Sequence, residues 1–211
     1  MGKALRAVEE ANGLADLIEL RVDYLKGVEL EKLLKAGEKP LVVTNRRRAE
    51  GGRYRGDEKR RLATLREAAD LGAAFVDVEM RTERSPLREL IKNKNGTRMI
   101  LSFHDFHRTP PPGELRKIMD RMTRHGADVA KIVTFARSWE DNLKVLALIA
   151  YARKRRQDIV TFCMGEKGKM SRIFSPLVGA AWTYASLGRT RASAPGQLTV
   201  TEMREIWERL E

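Results

Sequence analysis

Lys131 stands inside the stretch VAKIVTF, with Val129 and Ala130 before it and Ile132 and Val133 after it. An ammonium among such neighbours is poorly solvated, and desolvation lowers a lysine pKa. The neutral amine favoured there is the form that attacks a carbonyl carbon to give a Schiff base. Two readings stand side by side: a nucleophile, or one half of an internal ion pair with Asp77 or Glu79. A second candidate lies in ILSFHDFHRTPPPG at 100–113, which holds two of the chain's three histidines. His104 directly follows an apolar run, whereas His107 sits three residues on in a proline-rich turn and reads as solvent-facing. A metal centre needs three or four ligands and only Asp105 stands nearby, so neither histidine is expected to bind one. An imidazole that titrates near neutrality suits the proton transfers that Schiff-base chemistry needs, which makes His104 the candidate acid and base. His125 ends a helical segment, where its charge complements the carboxyl end.

Two further pieces could bind rather than react. GEKGKMSR at 165–172 has the glycine spacing of neither a dinucleotide fingerprint nor a Walker loop. It reads as a flexible loop that delivers Arg172, whose guanidinium suits two parallel hydrogen bonds to a carboxylate. SAPGQ at 193–197 reads as a mobile flap, with Ser193 and Gln197 as neutral hydrogen-bonding groups around a Pro-Gly turn. The plainer reading of both is an ordinary surface turn.

These residues need elements to hold them. Short runs rich in Val, Ile and Phe recur as LIELRVD from Leu17, LVVTN from Leu41, FVDVEM from Phe75, MILSF from Met99, VAKIVTF from Val129, IVTFCM from Ile159 and WTYASL from Trp182. Between them, residues 57–71, 113–125 and 138–156 carry helical periodicity. The last opens with Ser138 three residues before Asp141, a capping-box-like start, and places Leu143, Leu146, Ala147 and Ala150 on one apolar face. Apolar strands alternating with helices predict a parallel sheet covered by helices, and the number of units favours a (β/α)8 barrel of the TIM type in one domain, 1–211. Only seven strand candidates are visible, and residues 3–11 read as the helix that should follow a first strand. The barrel is therefore expected to lack its first strand, through a shortened start or a gap covered by a dimer contact or local rearrangement.

Barrel chemistry gathers at the carboxyl ends of strands. Glu19, Arg21 and Asp23 alternate along the first visible strand and so face one side. Arg46 and Glu50 follow the second strand, Glu79 ends the third, and His104 and Asp105 end the fourth. Lys131 lies inside the fifth, Met164 and Arg172 follow the sixth, and Ser193 and Gln197 follow the last.

Composition narrows the class. Hydrophobic residues make up 42% and charged residues 33% of the 211, which excludes a disordered chain, and no apolar run is long enough to span a membrane. The start is polar and helix-like, so no signal peptide is expected. A single cysteine, Cys163, excludes a disulfide framework and suits a reducing cytoplasm; it reads as a buried strand residue. The net charge of +12 is spread along the chain, with no basic tail and no aromatic pattern for stacking bases. It fits the steering of a small anionic substrate better than specific nucleic-acid binding.

Taken in order, ELRVDYL (19–25), RRRAEGG (46–52), SFHDFHRTP (102–110), ADVAKI (127–132), MGEKGKMSRI (164–173) and ASAPGQL (192–198) resemble the type I 3-dehydroquinate dehydratase family over almost the whole chain. The resemblance implies loss of water from 3-dehydroquinate to give 3-dehydroshikimate, a step of the shikimate pathway, without metal or cofactor. It implies Lys131 as the Schiff-base lysine, His104 as the general acid and base, and Glu50 as the carboxylate that supports the histidine. Glu19 and Arg21 resemble the pair that holds substrate hydroxyls, and Arg46, in the same active-site loop as Glu50, is implied to bind substrate as well. Arg172 resembles the carboxylate-binding arginine, and Ser193 and Gln197 the closing loop. A homodimer in the cytoplasm is implied as well. Two other readings share parts of this pattern: a Schiff-base aldolase on the same fold, and a catalytically impaired basic binding protein.

Overall fold

A computed structural model describes residues 1–210, and the chain divides into two compact units, Met1–Leu101 and Ser102–Glu211. The first unit contains α1 (Gly2–Asn12), β1 (Ile18–Arg21), α2 (Leu30–Ala36), β2 (Leu41–Thr44), α3 (Glu58–Asp70), β3 (Phe75–Glu79) and α4 (Arg84–Lys92). The strand β4 (Arg98–His104) begins there and ends in the second unit. The second unit continues with α5 (Pro112–Arg124), β5 (Val129–Phe135), α6 (Glu140–Lys154), β6 (Asp158–Met164), α7 (Lys169–Leu177) and α8 (Val200–Glu208). Strand and helix alternate, as the apolar periodicity requires. Residues 3–11 are helical, and among the described residues no strand precedes α1.

Within the first unit the strands lie parallel, and register pairs Arg21 with Thr44 and Thr44 with Asp77. Alternation along each strand then puts Glu19, Arg21, Thr44, Asp77 and Glu79 on one face. The opposite face supplies Ile18, Leu20, Leu41, Val43 and Val76 to the core beneath the helices. In the second unit β5 and β6 pair in parallel from Val129–Asp158 through Phe135–Met164. The Asp105 amide donates to the Val133 carbonyl at 2.9 Å. In a parallel ladder that bond sets Asp105 against Thr134, and hence Ser102 against Lys131 three residues earlier.

Three local expectations change. Among the described residues WTYASL from Trp182 forms no strand, and its only regular pairing is an isolated bridge from Ser186 to Thr199. Its Tyr184 packs against the ring of Phe162, 6.2 Å away between centroids. GEKGKMSR is not a flexible loop, because a short turn at Glu166–Gly168 leads directly into α7, which carries Arg172. Helix α6 buries Val145, Leu148, Ile149 and Ala152, while Leu143, Ala147 and Ala150 point outward. Its capping half-box exists in part: the Asp141 carboxylate accepts from the amides of Arg137 at 2.8 Å and Ser138 at 3.2 Å.

Candidate active site

Lys131 and His104 lie on one face of the second unit. Ser102 is level with Lys131, and a strand turns every second side chain to the same side, so Ser102, His104, Lys131, Val133, Phe162 and Met164 share that face. Lys131 is only 5% exposed, and its Nζ lies 4.2 Å from the centroid of the Tyr184 ring. The lysine is thus desolvated, as its neighbours in sequence demand. His104 stacks on Phe106 at 6.0 Å with the planes inclined by 20°. Asp105 explains why the strand stops there: its Oδ1 accepts from the amides of His107 at 2.9 Å and Arg108 at 3.0 Å, closing a local turn. His107 is exposed on that turn, so the two histidines separate as expected.

Arg172 rises from α7 and is 1% exposed. Its guanidinium lies 4.3 Å over the Phe162 ring, and its Nη2 makes a long bond of 3.4 Å to the Pro195 carbonyl. No carboxylate among the described residues lies within ion-pair distance of it, and burial lowers its pKa to about 10. A buried guanidinium in this state is costly unless an anion arrives. Ser193 and Gln197 bind each other instead of facing apart: Gln197 Oε1 accepts from the Ser193 amide at 2.8 Å and its hydroxyl at 3.2 Å. The loop they close is tied to β6, because the Gly165 amide donates to Pro195 at 3.1 Å.

The first unit gathers charge differently. Glu19 accepts from the Thr44 hydroxyl at 2.8 Å. Strand β1 ends at Arg21, and Asp23 lies in the turn beyond it, where it receives both Arg21 Nε and Nη2 at 2.8 Å. Arg46 is buried and pairs with Asp77 at 2.7 Å and Glu79 at 3.3 Å, which raises its pKa against the opposing cost of burial. Glu79 is therefore a partner of arginines, as is Asp77. The arginine that sequence inspection missed is Arg61 of α3, 0% exposed, which donates to Glu79 at 2.6 Å, to the Asn45 carbonyl at 3.1 Å and to Glu58. Its position within a charged helical stretch hides the role.

The turn after β2 delivers Glu50. Gly52 must be glycine, because a Cβ there would meet the Arg46 carbonyl oxygen at 2.0 Å. This close return puts Glu50 at 3% exposure. Burial, with the like charge of Glu79 second, pushes its carboxyl up to about 7 against the pull of Arg46, Arg81 and Arg47. A carboxyl in that range changes charge near neutrality. The second residue missed by sequence reading is Tyr184, hidden because its segment was taken for a strand.

Comparison with known proteins identifies the family and the fold. A family model described as Type I 3-dehydroquinase matches residues 1–211. The 3-dehydroquinate dehydratase of Desulfotalea psychrophila is 38% identical over 212 residues, covering 99% of this chain and 93% of that relative. That of Methanocaldococcus jannaschii is 37% identical, covering 97% and 92%. Among solved structures, the 3-dehydroquinate dehydratase of Geobacillus kaustophilus superposes with a TM-score of 0.88 at 28% identity, covering 98% of this chain and 85% of that one. The type I 3-dehydroquinate dehydratase of Clostridium difficile, solved with covalent modified comenic acid, gives 0.87 at 26% identity, covering 98% and 86%. The fold class is accordingly that of a TIM-type (β/α)8 barrel in which no strand precedes α1 among the described residues.

Proposed function

The chain belongs to the type I 3-dehydroquinase family, and from that premise we propose that it is a hydro-lyase that converts 3-dehydroquinate to 3-dehydroshikimate through a Lys131 Schiff base. The neutral amine of Lys131 adds to the substrate ketone, and the carbinolamine takes up a proton and releases water to leave an iminium. The iminium withdraws electrons from the adjacent carbon, so an imidazole is a strong enough base to take its proton. His104 accepts that proton, and the C–H electron pair forms an enamine. The imidazolium then returns the proton to the departing hydroxyl, which leaves as water as the C=C bond forms. A second water hydrolyses the iminium, frees the product ketone and restores Lys131.

The observation that carries this reading is the buried lysine sharing a strand face with His104, in the same unit as a buried arginine with no acid within ion-pair distance among the described residues. Arg172 takes the substrate carboxylate, and the geometry it imposes removes orientational freedom from the reacting carbon. Glu50 supports the histidine cation, Glu19 and Arg21 hold substrate hydroxyls, and Arg46 holds the carboxylates of Asp77 and Glu79 on β3 beside them. Ser193 and Gln197 close over the bound substrate, which requires their mutual hydrogen bonds to open. The lone buried thiol of Cys163 suits work in the cytoplasm. Borohydride added with 3-dehydroquinate is expected to trap a covalent adduct on Lys131, read by mass spectrometry of the digested protein. Absence of an adduct in folded, active protein sinks the mechanism.

The working form is proposed to be a homodimer. Helix α6 is apolar on two sides: one packs into the core, and the other exposes Trp139 and Leu143. Helix α7 runs beside it, held by Asn142 to Lys167 and Ser171 at 2.9 and 3.1 Å, and exposes Phe174, Leu177 and Val178. Apolar groups gathered in this way mark an interaction surface. The first turn of α6 exposes Glu140 and its last turn Arg153 and Lys154. A twofold contact with α6 antiparallel to its copy therefore meets acid with base, which favours self-association over a polyanionic partner. Leu143→Lys is expected to halve the sedimenting mass, and an unchanged mass places the contact elsewhere.

A further inference from the structure

The aromatic pair between Lys131 and Arg172 has no part in the chemistry described so far. Tyr184 faces Lys131, whose Nζ is 4.2 Å from its centroid, and Phe162 carries the guanidinium of Arg172 at 4.3 Å. The two rings lie 6.2 Å apart and are tilted by 59°. Each ring thus presents a π face to one cation, and the pair sets the spacing between a ketone-binding end and a carboxylate-binding end. We infer that Tyr184 is a further catalytic residue, whose ring face stabilises the positive charge on the Lys131 nitrogen in the iminium stage of the reaction. The inference rests on the Schiff-base reading of Lys131.

The physical reason lies in which states are charged. The ammonium and the iminium carry a positive nitrogen, whereas the free amine and the carbinolamine do not. The negative face of an aromatic ring attracts the former pair and is indifferent to the latter. Around a lysine that is 5% exposed, little water competes for that charge. The ring therefore favours carbinolamine collapse to the iminium, in which nitrogen supplies its electron pair to carbon and the hydroxyl departs with a proton as water. Burial alone favours the neutral amine, which attacks but cannot act as an electron sink. Burial and the ring divide the work between attack and collapse.

The test uses the whole chain with 3-dehydroquinate and a short borohydride pulse, which reads the steady-state iminium as reduced adduct on Lys131. Tyr184→Leu is expected to lower both the trapped fraction and kcat by about thirtyfold, the size of a desolvated cation–π contact, with KM changed much less. Tyr184→Phe keeps the ring and is expected to stay within about twofold of the parent chain on the same ground. Phenylalanines of increasing fluorine content at this position keep size while weakening the π face, so the trapped fraction should fall stepwise even if the leucine variant folds poorly. A flat fluorine series, or parental trapping and kcat in Tyr184→Leu, overturns the role. Lack of any adduct in the parent chain overturns the Schiff-base reading itself, and this inference with it.

Discussion

The two units hold buried charge in opposite ways. In the first, Arg46 meets Asp77 and Glu79, and Arg61 meets Glu79 and Glu58, so each buried guanidinium is answered by acids. In the second, Arg172 lies against Phe162 and a distant carbonyl with no acid within reach among the described residues. A pair that answers itself is a structural device, since removing one partner strands the other. A cation that is not answered is stored cost, recovered when a ligand brings the opposite charge. The first arrangement shapes a scaffold around Glu50 and Glu19, and the second leaves a cation open to an incoming anion, which in the proposed function is the substrate carboxylate.

Substitutions in the two units should therefore fail differently. His104→Ala is expected to lower kcat by about 10² to 10⁴, the usual contribution of a general acid and base, while thermal stability stays near parental. Borohydride trapping on Lys131 should persist in this variant, and near-normal turnover removes His104 from the mechanism. Arg61→Met should do the reverse and cost on the order of 3–5 kcal/mol of stability, because Glu79 is left buried with less compensation. Arg172→Met is the sharpest comparison: it should leave stability unchanged or raised in denaturant titrations, yet raise KM about tenfold or more. A large stability loss there would mean that Arg172 is as structural as Arg61.

Legibility in the sequence follows the same division. The alternation that aligns Glu19 and Arg21, and the apolar neighbours that bury Lys131, are local patterns, and they were readable. The strand and helix order followed for β1–β6 and for the helix at the start. Partners joined across the fold were not readable. Arg61 lies among charged residues of α3, and nothing nearby announces that it reaches Glu79, 18 positions on. Helix α6 carries two apolar stripes, and periodicity cannot say which one faces the sheet. The glycines of GEKGKMSR suggested a loop, but Lys169, Met170 and Arg172 are sound helix formers, and Arg172 is delivered by a rigid element. WTYASL has strand composition without strand pairing, which concealed Tyr184.

Glu50 sharpens the account of the first unit through pH. Its carboxyl is held up to about 7 in the folded chain, against an ordinary value of 4.5. Below pH 4.5 it is protonated in both folded and unfolded chains. Between 4.5 and 7 the unfolded chain releases the proton first, so this group's contribution to stability falls as pH rises, and the fall ends above 7. The loss is on the order of 3 kcal/mol at most. Glu50→Gln removes it, so the stability difference between variant and parent should grow in the variant's favour across that window. A constant difference shows that Glu50 ionises normally.

The smallest expected effect tests whether the second unit's flap belongs to its waiting state. Gly196 lies at φ +74°, and a Cβ there would meet the Gly165 carbonyl oxygen at 2.2 Å. Gly196→Ala therefore strains the turn and pushes it from β6, loosening the Gly165 to Pro195 bond that also sets the carbonyl facing Arg172. Left-handed strain of this kind costs about 1–3 kcal/mol. If the flap only covers a surface, that cost appears as lowered stability with kcat/KM unchanged. If it closes over a substrate held by Arg172, kcat/KM should fall about tenfold, with a smaller change in melting temperature, because only the closed complex needs the turn in place. Steady-state kinetics beside a thermal melt separate the two, and unchanged kinetics would leave Ser193 and Gln197 outside the site.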